Sequence, residues 1–167
     1  MPRLFISAPL PEAVLDAISG LARLDQAGLR WTARDQWHIT VRFLGECDVT
    51  SASSALGSLS AGAATVRLGP QVTLLGRNVV CIPATGLEAL AAAVAGVTSA
   101  IGEPNDPRRF RGHVTLARLK ARARPVLVGA AFEASFLLDR LDLVESTPTP
   151  GGAVHEVRSV KALDRPC

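Results

Sequence analysis

The feature that most constrains this chain is a short pattern present twice, His38-Ile39-Thr40-Val41 and His113-Val114-Thr115-Leu116. Each copy lies in an apolar run, Trp37 to Leu44 and Gly112 to Leu119, that reads as a β-strand. A strand turns successive side chains to opposite faces, so His38 and Thr40 share one face while Ile39 and Val41 share the other, and the second copy does the same. One copy alone is weak. The chain has only 3 histidines, and two of them carrying the pattern by chance is on the order of one in a thousand. The halves therefore read as related lobes about a pseudo-twofold axis that brings both histidines to one cleft.

With 167 residues, 48% hydrophobic and 20% charged, the chain is long enough to bury a core and is read as one domain, 1–167. Its formal charge is +3, and every basic residue except Lys120 and Lys161 is arginine. Arginine holds phosphate bidentately, so the balance tilts towards an anionic partner. Arg108, Arg109, Arg111, Arg118, Lys120, Arg122 and Arg124 bracket the second motif; the plainer reading of that cluster is a solvated loop and strand end. Cys47, Cys81 and Cys167 form no Cys-x-x-Cys and are odd in number, which favours a reducing, cytoplasmic setting over a disulfide framework. The apolar run after Arg3 is short and broken by prolines, unlike a signal peptide, and the Ala-rich stretch 89–97 reads as a helix rather than a membrane span.

Strands and helices alternate. Strands are expected at Arg3 to Ala8, Leu29 to Thr32, the two motifs, Ala64 to Leu68, Gln71 to Leu75, Val79 to Pro83, Phe136 to Glu145 and Val154 to Leu163. Helices are expected at Pro11 to Leu24, at Ala52 to Leu59 with Thr50 or Ser51 as cap, and at Gly86 to Ile101. Arg122 to Ala134 reads equally as a short helix or a loop.

The sequence resembles the two-histidine (2H) phosphoesterase superfamily, in particular the bacterial RNA 2′,3′-cyclic phosphodiesterase, or 2′-5′ RNA ligase, branch. Arg3 to Ile6, His38 to Glu46, His113 to Arg118, and Glu145-Ser146 followed by Pro150-Gly151 match its pattern in order. Gly112, where proline is frequent, and His155, near a position where tyrosine is common, depart from it. The resemblance implies an α+β fold of two lobes, each an antiparallel sheet flanked by helices, around a central cleft. It implies a monomer that takes RNA or an oligonucleotide ending in a 2′,3′-cyclic phosphate and hydrolyses it to a 2′-phosphate, with ATP-independent 2′-5′ ligation as the reverse reaction.

Such hydrolysis requires one group to take a proton from water and an opposed group to give one to the leaving ribose oxygen. Histidine, titrating near neutral pH, can do both. By resemblance His38 is the acid and His113 the base, though the residues alone allow the exchange. Thr40 and Thr115 would donate hydroxyls to the phosphate oxygens, and no metal or cofactor is required. The resemblance adds Arg118 as a phosphate ligand and Phe43 as a stacking platform. Strict alternation objects, since it would turn both into the core and put Arg42 in the cleft. A bulge or a strand end at Arg42 and Ala117 would remove the objection.

His155 reads as structural or rim-exposed. A zinc site from His38, His113, His155 and Cys81 lacks the short local spacings such sites use. A nucleotide-dependent ligase lacks both Gly-x-x-x-x-Gly-Lys and Lys-x-Asp-Gly. The remaining alternatives are an RNA-end-binding module without turnover and a phosphoesterase acting on small cyclic nucleotides.

Overall fold

Apolar residues at alternate positions of Arg3–Ala8 make the first strand, β1, in which Leu4, Ile6 and Ala8 are wholly buried. In the computed structural model, which describes residues 1–120 and 125–167, there follow α1 (Glu12–Ser19), β2 (Leu29–Trp31), a 3₁₀ turn (Arg34–Gln36), β3 (Ile39–Glu46) and α2 (Val49–Gly57). The second half comprises β4 (Ala64–Leu68), β5 (Thr73–Leu75), β6 (Val79–Thr85), α3 (Glu88–Val97), β7 (His113–Leu119), β8 (Ala134–Leu138), β9 (Arg140–Thr149) and β10 (Gly152–Ala162). Helices α1 and α3 are shorter than the apolar periodicity suggests, and α2 begins three residues earlier than expected. Asp48, not Thr50 or Ser51, caps α2: its carboxylate accepts the Ser51 backbone N–H at 2.8 Å. Residues Val126–Gly129 form a turn, whereas Arg122 and Arg124 lie outside the described residues.

All strand ladders are antiparallel, and the sheet runs β10-β9-β1-β3-β7-β6-β4-β8, with β2 added on β7 and β5 on β6. This order mirrors itself about the β3–β7 junction. On one side β1, α1 and β3 follow in sequence and β1 pairs with β3; on the other, β6, α3 and β7 follow and β6 pairs with β7. The curled, mostly antiparallel sheet with three helices is the expected α+β arrangement of two lobes. Helix α3 buries Leu90, Ala91 and Val94 and packs against β3, while α2 buries Ala52 and Leu56 and packs against β9 and β10. Each wholly buried aliphatic side chain contributes roughly 1.5 to 3 kcal/mol. No helix among the described residues is long and apolar enough to cross a membrane.

Candidate active site

The two lobes meet through one registered pair, Ile39 opposite Val114, and both side chains are wholly buried. Neighbours of a core-facing strand residue point the other way. His38 and Thr40 on either side of Ile39, and His113 and Thr115 on either side of Val114, therefore project together from the opposite face. All four line one cavity of about 370 Å³.

The imidazoles are held alike. His38 Nδ1 lies 2.6 Å from the Gln36 carbonyl oxygen and His113 Nδ1 lies 2.8 Å from that of Arg111. In both, the partner is the carbonyl two residues earlier. A carbonyl only accepts, so Nδ1 carries the hydrogen and Nε2 is left to exchange protons. His38 Nε2 lies 2.9 Å from Thr40 Oγ1, where the hydroxyl donates to the neutral ring.

Their surroundings differ. The His38 ring stacks on Phe5 at 4.8 Å between centroids and meets His155 edge-on at 5.4 Å. Burial pushes the His38 pKa down to about 4; the Gln36 carbonyl opposes the shift, and His155 and His113 reinforce it. Burial also lowers the pKa of His155, against the pull of Asp35.

Alternation past each threonine is interrupted at matching places. Ser7 pairs with Thr40 and Ile6 with Arg42, so Val41 is an extra residue; Cys81 pairs with Thr115 and Val80 with Ala117, so Leu116 is one too. Each bulge puts two consecutive residues in the interior, Val41 with Arg42 and Leu116 with Ala117. Phe43 and Arg118 are thereby returned to the histidine face. The irregularity falls at Val41 and Leu116, one position before the places expected, and has the expected consequence. Arg118 lines the cavity. Phe43, 40% exposed, lies outside the cavity wall beneath the Arg3 guanidinium, 5.6 Å from its ring centroid. Arg42 turns inward and donates to the Glu103 carbonyl at 2.6 Å and to Thr98 Oγ1 and the Pro104 carbonyl, both at 3.4 Å.

The remaining wall comes from Phe5, from Arg30, Trp31, Thr32 and Gln36 near β2, and from Ser146, Gly152, Ala153 and His155 of the β9–β10 hairpin. His155 is thus part of the site wall rather than a bystander at its rim. Phe5 was findable, because alternation in β1 places it opposite to Leu4 and Ile6. Arg30 carries no comparable local signal, since β2 reaches the site by pairing with the distant β7. The described residues contain no group of three or more His, Cys, Asp or Glu side chains arranged to hold a metal ion.

The fold is the LigT-like 2H phosphoesterase fold, as the likeness to solved structures shows. The sequence profile described as LigT like Phosphoesterase matches residues 4–70, which contain the first motif; the second follows from the internal repeat and the fold. Among solved structures, TT0787 of Thermus thermophilus superposes with a TM-score of 0.81 at 28% identity, covering 96% of this chain and 97% of that one. Apo E. coli LigT gives 0.81 at 24% identity and 98% of each chain. E. coli LigT complexed with 3′-AMP gives 0.81 at 24%, with 97% and 98% covered. No curated protein matches the sequence.

Proposed function

We propose that the chain is a cyclic phosphodiesterase that opens the 2′,3′-cyclic phosphate at an RNA end to a 2′-phosphate, using His38 and His113 as its acid–base pair. One observation carries this reading: two His-x-Thr strands converge on a single cavity, with both Nδ1 atoms tied to carbonyls. One Nε2 takes a proton from water as its oxygen attacks phosphorus. The P–O3′ bond breaks, and the other Nε2 delivers a proton to O3′. Thr40 and Thr115 donate hydroxyls to the non-bridging oxygens, and Arg118 offsets the charge gathering there. The 3′-AMP complex of E. coli LigT supports a nucleotide ligand for a cavity of this shape.

His38 as the acid requires the bound phosphate to raise its pKa, because burial keeps it neutral down to about pH 4 in the empty cavity. A neutral His38 acting as base is the second reading, favoured by that shift. A cyclic substrate with sulfur in place of O3′ separates them, since a thiolate leaves without a proton. Replacing the acid histidine is then tolerated and replacing the base is not.

The proposal is tested with an oligonucleotide ending in a 2′,3′-cyclic phosphate, with and without a chelator. Conversion to a 2′-phosphate in both is expected. Recovery of unreacted end, or turnover only with added metal or ATP, contradicts it.

A further inference from the structure

Arg30 of β2 and Arg118 of β7 are direct cross-strand partners. Opposed residues of an antiparallel pair project from the same face, and both side chains line the cavity. Two like charges placed opposite each other are unfavourable unless something anionic lies between them. Among the described residues nothing does so: neither guanidinium has a carboxylate within ion-pair distance, and the cavity wall they form contains no Asp or Glu. Arg34, a few residues along, shows the contrast. Its guanidinium is tied to Glu12 at 2.8 Å and Asp16 at 2.7 Å.

The pair also lies beyond the histidines. Along β7 the face turned to the cavity reads His113, Thr115 and, past the bulge, Arg118, with Arg30 alongside. Three strand residues span at most about 10 Å, so the guanidinium pair is a step removed from the threonines that flank the reacting phosphate. Gly152, at φ 119°, closes over it, and a Cβ there would meet Arg30 Nη2 at 2.8 Å. The hairpin tip thus packs against the Arg30 guanidinium.

We infer that Arg30 completes a second anion site beside Arg118, whose guanidinium it shares with the reacting phosphate, and that this site binds a further phosphate carried by the same ligand as the cyclic one. The preferred ligand is then a di- or oligonucleotide, or a nucleoside diphosphate derivative, rather than a cyclic mononucleotide. The inference rests on the proposed function for its reaction but not for its binding.

Binding is measured by calorimetry with 3′-AMP and with adenosine 3′,5′-bisphosphate. Wild type is expected to hold the bisphosphate at least tenfold tighter. Arg30→Gln should erase most of that preference, while Arg30→Lys, which keeps the charge but not the fork, retains part of it. Equal affinity of wild type for the two ligands, or an undiminished preference in Arg30→Gln, overturns the site. Rates are then compared for 2′,3′-cyclic AMP, a dinucleotide with the same end, and an ADP-ribose cyclic phosphate. In Arg30→Gln, kcat/KM should fall 10- to 100-fold for the better of the two larger substrates and less than threefold for the mononucleotide. A wild-type preference for the dinucleotide assigns the second phosphate to an RNA backbone, and one for the ADP-ribose compound assigns it to a pyrophosphate; equal kcat/KM on all three overturns the inference. An Arg30-dependent bisphosphate preference in a protein that turns over none of them upholds the anion site and refutes only the proposed reaction.

Discussion

The lobe built on β1 and β3 and the lobe built on β6 and β7 share a backbone and differ in what it presents. Both tie histidine Nδ1 to the carbonyl two residues before, and both place one bulged residue after the threonine. At the next cleft-facing position one offers Phe43 and the other Arg118. The strand residue opposite is Phe5 in the first lobe and Val79 in the second. Among the described residues only the first imidazole is therefore stacked on an aromatic ring. Duplicated backbone supplies the convergence of two imidazoles; unequal side chains supply the asymmetry that the proposed one-way proton transfer needs.

Three sets of substitutions probe that comparison. If the threonines are equivalent donors, Thr40→Val and Thr115→Val should each lower kcat by roughly 100-fold, the scale of losing one donor to developing charge. Retained kcat in one variant would confine phosphate binding to the other lobe.

Arg42 and Ala117 occupy the same place after the bulge yet differ in chemistry. Arg42→Met leaves the Glu103 and Pro104 carbonyls without their donor and should cost about 2 to 3 kcal/mol in denaturant unfolding, with kcat at low temperature unchanged. A large loss of activity in the folded variant would return Arg42 to the cleft.

The smallest effect concerns pH. The His38 pKa is about 4 in the folded chain and near 6.5 in an unfolded one. Between those values the unfolded state binds the extra proton, so His38's contribution to stability is complete above about pH 6.5 and is lost as pH falls towards 4. His155 shifts in the same direction. Thermal unfolding of His38→Gln should decline less than that of wild type between pH 6.5 and 4.5. Identical declines would mean that the ring titrates normally.

Much of this was readable beforehand because it depends on local pattern. Period-two alternation exposed the paired histidines and threonines, and the repeat exposed the lobes. The bulges were legible only as a requirement, since the sequences Val41-Arg42 and Leu116-Ala117 hold no glycine or proline to mark them; pairing with β1 and β6 decides where the extra residue falls. Arg30 and the hairpin around Gly152 were hidden because non-local strand pairing delivers them. His155 looked incidental until the β9–β10 register set it against Phe5 and His38.

The most direct test of the central claim compares His38→Ala, His113→Ala and the double variant on an oligonucleotide ending in a 2′,3′-cyclic phosphate. Two halves of one acid–base device predict single losses of about 100- to 10,000-fold and a double variant scarcely slower than either single one. Near wild-type rates in one single variant, or losses that multiply in the double, would contradict it.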